Sequence, residues 1–277
     1  MPELPEVETI RARLAPLLEG RRLAAVQIDD ARLTRPNDPA EVASHMRGER
    51  ITTVDRRGKY LIFRFESGRS LLIHLRMTGS LLHRRDGSNG SLAEDPYQRA
   101  VLSLDNGSDV AYRDVRRFGM WLLLEQDEIT PYLEVRLGDE PLADAFTPET
   151  LAERLAGRRA AVKAALLDQR TVAGMGNIYA DEALWRAEID PRRPVGALDK
   201  AEVERLYAGI RTALVAGIAR QGATLRDYRT PDGQSGGMQL EFQVYGREGE
   251  PCPRCGTPIA KTRIAGRGTS YCPGCQH

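Results

Sequence analysis

Two groups of residues in this 277-residue chain have the types and spacing that chemistry needs. The first is the N-terminus, Met1-Pro2-Glu3-Leu4-Pro5-Glu6-Val7-Glu8. A proline in second position lets Met1 be trimmed by ordinary methionine excision, which exposes a secondary amine. An α-amino group titrates near about 8, so a useful fraction is neutral and nucleophilic at physiological pH. Glu3 beside it can shuttle protons. The same residues also suit a plain helix start, where Pro and Glu are favoured, and spacing alone does not separate the two readings. The second group is Cys252-x-x-Cys255 and Cys272-x-x-Cys275, with 16 residues between the pairs. Each pair turns two thiolates toward one ion, and a hairpin between the pairs closes a four-sulfur tetrahedron around zinc. Four protein ligands leave no open position, so such a zinc is structural. Lys261, Arg263 and Arg267 fall on that hairpin, where they can reach phosphates.

A third segment, Gly174-Met175-Gly176-Asn177-Ile178-Tyr179, has glycines beside a helix start. Glycines allow another backbone to come close, and amides at a helix N-terminus bind phosphate. A helix-to-helix turn with an Asn cap has the same appearance. Lys59, Met77 and Phe118 likewise have ordinary readings, as a surface lysine at a strand start and as two core side chains.

These residues need elements to hold them. Val7, Ile10, Leu14, Leu17 and Leu18 fall at helical spacing, and Gly20 stops the run, which predicts a helix over 5–18. From about Leu23 to Glu125 the texture is strand. Tyr60–Phe65, Leu71–Leu75 and Val101–Leu104 are short apolar runs, with turn signals at Ser67-Gly68 and Asp105-Asn106-Gly107. Several such strands make a sandwich or a barrel. The polar stretch 84–96 reads as a mobile loop, and 126–147 as a connector. Thr147 and Pro148 then open a helical region that runs to about Arg220. Asp199 with Glu202 looks like a capping box ahead of Val203, Leu206, Tyr207, Ile210 and Leu214. Residues 222–239, rich in Gly, Asp, Arg and Ser, read as a second mobile loop.

Composition sets limits. The chain is 41% hydrophobic, enough for a core, and its net charge of +1 announces no nucleic-acid partner. A basic surface would have to be local. No run of about 18 apolar residues predicts a membrane span, and the acidic start lacks the features of a secretory signal. The expectation is a soluble, cytoplasmic protein. Clustered cysteines in such a chain favour metal over disulfides.

The blocks of sequence, taken in order, resemble those of the bacterial formamidopyrimidine-DNA glycosylases. Pro2–Glu8 is similar to that family's opening. Gly58-Lys59-Tyr60-Leu61, His74-Leu75-Arg76-Met77-Thr78-Gly79, Asp114-Val115-Arg116-Arg117-Phe118-Gly119, Gly174–Tyr179, Val244-Tyr245-Gly246-Arg247 and Tyr271-Cys272-Pro273-Gly274-Cys275-Gln276 follow along the whole chain. The resemblance implies an α+β protein of two domains. An N-terminal β-sandwich with its helix spans 2–133, and a linker spans 134–147. A helix–two-turn–helix domain spans 148–240, with a lesion-capping loop at 222–239, and a zinc finger spans 241–277.

It also implies base-excision repair on double-stranded damaged DNA by a monomer with one structural zinc. In that chemistry the Pro2 amine displaces an oxidised purine, forms a Schiff base, and elimination on both sides nicks the strand. Glu3 would be the general acid, and Lys59 and Arg267 would serve the lyase steps and the phosphates. Met77, Arg116 and Phe118 would fill the hole left by a flipped nucleotide, with the arginine on the orphaned cytosine. Asn177 and Arg158 would hold DNA. Tyr97 stands where close relatives have a histidine, a departure that still leaves a hydroxyl for phosphate. Cys252, Cys255, Cys272 and Cys275 would hold the zinc. The sister enzyme of endonuclease VIII type, which prefers oxidised pyrimidines, is the nearest alternative. A non-catalytic DNA-binding module would explain the finger but would leave Pro2, Glu3 and Lys59 without a task.

Overall fold

The computed structural model describes residues 1–85 and 95–277, so most of the loop expected over 84–96 lies outside the described residues. Two compact units emerge. One is Met1–Leu133 with Gln221–Gly237, and the other is Glu134–Arg220 with Met238–His277.

The first unit opens with helix α1 (Leu4–Leu18), whose Val7, Ile10, Leu14 and Leu18 are fully buried. Leu17, expected with them, faces outward instead and is 38% exposed. Among the described residues eight strands follow in two antiparallel sheets: β1 (Leu23–Ile28), β2 (Ile51–Arg57), β3 (Tyr60–Phe65), β4 (Ser70–His74), β5 (Gly79–Arg84), β6 (Gln98–Leu104), β7 (Asp109–Asp114) and β8 (Met120–Leu124). Helix α2 (Pro39–Met46), capped by the Asp38 carboxylate, packs on β1. One sheet has the order β1-β6-β7-β5 and the other β2-β3-β4-β8. Strand alternation sends Leu61, Phe63 and Phe65 from one sheet, and Leu102, Val110 and Tyr112 from the other, into one core that also contains Trp121. This is the sandwich that the sequence predicts.

Two segments differ from their sequence reading. The connector begins with helix α3 (Gln126–Glu134), because Ile129 and Leu133, one turn apart, both find a buried face. Residues Gln221–Gly237 return to the first unit, where Tyr228 joins the sandwich core and Pro231 accepts a hydrogen bond from the His83 N–H at 2.8 Å.

The second unit is built on helices α4 (Pro148–Leu155), α5 (Val162–Leu167), α6 (Asn177–Ala187) and α7 (Lys200–Ala219). Thr147 and Asp199 are the N-caps of α4 and α7, as their sequences indicate, and the Asp199 carboxylate accepts the Glu202 N–H at 2.8 Å. The chain ends in a hairpin of β9 (Ala260–Ile264) and β10 (Arg267–Tyr271) between the cysteine pairs. Among the described residues no helix is long and apolar enough to cross a membrane.

Glu182 on α6 anchors the segment that leads into the finger. Fully buried, it accepts the backbone N–H groups of Gln243, Val244 and Tyr245 at 2.9, 3.0 and 3.1 Å, and pairs with Arg186 at 2.8 Å. Three main-chain donors without that carboxylate would be left buried. Glu182→Ala should therefore cost about 3–5 kcal/mol in urea unfolding. A loss below about 1 kcal/mol would show that water substitutes for the carboxylate.

Candidate active site

The N-terminal residues are held from two directions. Pro2 is buried, and Glu3, only 3% exposed, is the N-cap of α1. The Glu3 N–H donates to Glu6 Oε2 at 2.8 Å. The other oxygen of Glu6 accepts the Ala223 N–H at 2.7 Å, and Tyr228 Oη donates to the Gln221 carbonyl at 3.0 Å. One buried carboxylate thus joins the head of α1 to the returning 221–237 segment. With Met1 attached, the Pro2 nitrogen is an amide; removal of Met1 would make it a secondary amine.

Lys59 sits on the two-residue turn between β2 and β3, after Gly58, whose φ is 57°. It is 5% exposed, so the surface-lysine reading does not hold. The turn is fastened to the first helix: Glu8 Oε2 accepts from Arg56 Nε at 2.9 Å, and the same guanidinium donates to the Gly58 carbonyl at 3.0 Å. Pro2, Glu3 and Lys59 are therefore on one framework of charged hydrogen bonds.

His74 lies opposite Tyr60 across the β3–β4 ladder, with the rings edge to face at 4.8 Å. Its Nδ1 accepts the N–H of Arg76, whose left-handed φ of 54° it helps to hold. Burial first, then the nearby Arg76 and Lys59 charges, push the imidazole down to about 3. The sequence alone gives this residue no task, although it opens the His74–Gly79 block.

Met77 is partly buried, Arg116 is exposed and Phe118 is 53% exposed, so Phe118 is not a core side chain. The Arg116 guanidinium lies 4.7 Å from the Phe118 ring centre. Arg117, also left-handed at φ 58°, is clamped by both Asp30 oxygens at 2.6 and 2.7 Å, which holds the Asp30 carboxyl below its usual range. Tyr97, 38% exposed, lies under Arg113 at 4.8 Å.

In the second unit Asn177 is the first residue of α6, and its Nδ2 donates to the Gly268 carbonyl at 3.0 Å, while its Oδ1 has no hydrogen bond. The glycine turn before it is set by Gln169, which accepts the Gly174 N–H and donates to the Met175 carbonyl. Fully buried Lys163 reaches the same hairpin, pairing with Asp181 at 2.6 Å and donating to the Gly268 carbonyl and to Thr269 Oγ1. Asp181 in turn accepts the Ser270 N–H. Arg267 is exposed at the tip, after the left-handed pair Ala265 and Gly266. Arg158 is turned instead to the Arg154 carbonyl and to Asp168 at 3.0 Å.

The four cysteine sulfurs lie within 4.8 Å of one another, and none is in a disulfide. Two pairs stand at 3.8 and 3.4 Å. A zinc tetrahedron with bonds of about 2.3 Å has sulfur–sulfur edges of about 3.8 Å, so the residues fit the ion. The Trp185 indole donates to Cys252 Sγ at 3.4 Å and Arg254 to Cys275 Sγ at 3.6 Å, both favouring thiolates. The chain holds one structural zinc here.

Comparison with known proteins agrees along the whole length. Residues 1–121 match the formamidopyrimidine-DNA glycosylase N-terminal domain, and 137–229 match the H2TH domain of the same enzymes. Residues 249–277 match a zinc finger found in FPG and IleRS. The chain belongs to the formamidopyrimidine-DNA glycosylase family. A formamidopyrimidine-DNA glycosylase of Symbiobacterium thermophilum is 49% identical over all of this chain and 89% of its own length. One from Geobacillus kaustophilus is 45% identical over the full length of both. The MutM (FPG) structure from Thermus thermophilus, 44% identical, superposes with a TM-score of 0.87 over 99% of this chain and 98% of its own. A Lactococcus lactis Fpg in complex with DNA containing an abasic site gives 0.90 at 34% identity over 99% of each chain. Members of this family are base-excision repair glycosylases, and the two-domain α+β reading with a finger stands.

Two outcomes follow from the geometry. Cys272→Ser should lose zinc, measured by metal analysis, while the first unit stays folded. The second concerns pH. The unfolded state binds a proton at His74 near about 6.5, and the folded state only near about 3. Between these values the unfolded chain carries more protons, so stability falls as pH drops. His74→Gln should flatten the slope of urea stability between about pH 7 and pH 5, and an unchanged slope would remove His74 from this account.

Proposed function

We propose that this chain is a bifunctional DNA glycosylase and AP lyase that removes oxidised purines, 8-oxoguanine and formamidopyrimidines, from double-stranded DNA. The observation that carries the reading is the buried Pro2–Glu3 head of α1, fixed to the Lys59 turn through Glu8 and Arg56. A nucleophile that acts from a chain end needs such a mount.

In this reading the Pro2 lone pair attacks the sugar carbon that bears the damaged base. The glycosidic bond breaks, and Glu3 supplies the proton that this step requires. The sugar ring opens to an iminium on Pro2, which acidifies the neighbouring C–H. Loss of that proton expels the 3′ phosphate, and a second elimination expels the 5′ phosphate. Lys59 assists these proton transfers from its buried turn. Asn177, whose Nδ2 carries two N–H donors and gives one to the Gly268 carbonyl, and Arg267 at the hairpin tip hold phosphates near the lesion. Met77, Arg116 and Phe118 enter the stack in place of the flipped nucleotide. Arg158 and Tyr97 add backbone contacts, although Arg158 must first leave Asp168. The zinc holds the hairpin and takes no part in bond making.

A second reading has a specific basis. A Lactococcus lactis FPG, 35% identical to this chain, has been solved in complex with DNA containing an oxidised pyrimidine. A preference for oxidised pyrimidines over 8-oxoguanine in excision assays would move this chain to that alternative.

The nucleophile can be tested directly. Protein with Met1 retained, or with the terminus acetylated, keeps every phosphate contact but has an amide at Pro2. It should bind lesion DNA, yet neither excise the base nor form a borohydride-trapped adduct. An adduct that still formed and mapped to Lys59 would end the Pro2 mechanism. For the stack-filling residues, Phe118→Ala should weaken lesion binding by about tenfold or more with a stability change within about 0.5 kcal/mol, because the ring is already exposed. A loss of about 3 kcal/mol in unfolding would instead mark it as core.

A further inference from the structure

Two loops run side by side at one end of the sandwich. Residues 75–78 cross from β4 to β5, and residues 115–119 cross from β7 to β8. β4 and β8 are neighbours in one sheet, with His74 opposite Met120. β5 and β7 are neighbours in the other, with Gly79 opposite Asp114. The first crossover carries Met77, and the second carries Arg116 and Phe118.

Asp114, 1% exposed, ties the two together. Its Oδ1 accepts from the Thr78 hydroxyl and from the Arg116 N–H at 3.2 Å. Its Oδ2 accepts from the Gly119 N–H at 2.7 Å and from Tyr112 Oη at 3.5 Å. Thr78 Oγ1 also accepts the Arg116 N–H, at 3.0 Å, so the arginine's own amide is shared between the loops. The packing admits no slack. A Cβ on Gly79 would come within 2.5 Å of Tyr112 Oη, and one on Gly119 would overlap that same oxygen.

We propose that Asp114 is a positioning residue for recognition: it locks the two crossovers in register, so that Met77, Arg116 and Phe118 enter the duplex as one piece and the choice of opposite base depends on it. This rests on the stack-filling reading of those three side chains. Asp114→Asn replaces one acceptor oxygen by a donor. If the amide nitrogen takes the Oδ2 place it faces the Gly119 N–H, which loses the carboxylate. If it takes the Oδ1 place it faces the Arg116 N–H, which keeps only Thr78 Oγ1. Either way the second loop loses one of its hydrogen bonds to residue 114, and the register loosens.

The test compares two substrates. One is a lesion duplex with C or A opposite; the other is a single-stranded abasic oligonucleotide, which has no opposite base and no hole to fill. Asp114→Asn should lose about tenfold or more in duplex affinity and lose its opposite-base preference, while borohydride trapping on the single strand stays within about twofold. Thr78→Val, which keeps the shape and breaks only the link between loops, should show the same selective pattern more weakly, and it serves if Asp114→Asn folds poorly. In a Met77→Ala, Arg116→Ala, Phe118→Ala background, Asp114→Asn should add less than about twofold. Full additivity, an equal loss on both substrates, or duplex behaviour left intact in both Asp114→Asn and Thr78→Val would overturn the proposal. If the triple variant alone keeps duplex affinity and base preference, the stack-filling reading fails instead, and the two failures are told apart.

Discussion

The first unit depends on the two hydrogen bonds of one buried carboxylate, that of Glu6. If an amine at residue 2 is to be held in place, its own strand of covalent bonds supplies half of the support. Glu6 supplies much of the rest. One oxygen takes the Glu3 N–H and the other takes the Ala223 N–H, so a segment more than two hundred residues away in sequence becomes the second wall of the N-terminus. The return of Gln221–Gly237 to the sandwich follows from this, and so does the burial of Tyr228. A carboxylate at the third helical position is an ordinary capping group; its second hydrogen bond makes it an organiser.

Charged hydrogen bonds, more than apolar contact, place the other groups proposed for the site. Arg56 ties the Lys59 turn to Glu8, and Asp30 clamps Arg117. Lys163 with Asp181 secures the β9–β10 hairpin against the helices. The apolar core fixes the strands, and the ionic groups fix the loops between them. That division suits a site on loops, where burial alone leaves the backbone too free.

Much of this was legible from sequence. Periodicity located α1 within one residue at its N-terminal end, and cap chemistry located the starts of α4 and α7 at Thr147 and Asp199. Paired cysteines announced the zinc because ligand spacing is a local property. What sequence did not reveal is long-range. Lys59 looks like any lysine at a strand start, yet the folded β2–β3 turn buries it. Asp114 sits in a recognisable block, yet its acceptance of donors from both crossovers depends on Gly79 standing opposite it across a ladder. Helix α3 was missed because Pro131 and a polar surround mask two apolar residues one turn apart.

The hairpin bond from Asn177 to Gly268 has one more consequence. The finger that the zinc shapes and the turn that precedes α6 share this bond, together with the Lys163 contacts to the same carbonyl. Whatever steadies one end must steady the other, since linkage between two binding events is reciprocal. If zinc favours the arrangement that receives phosphate, then occupancy by phosphate must tighten the hold on zinc by the same factor. The metal's affinity for the protein then becomes a reporter of whether the protein is on its nucleic acid.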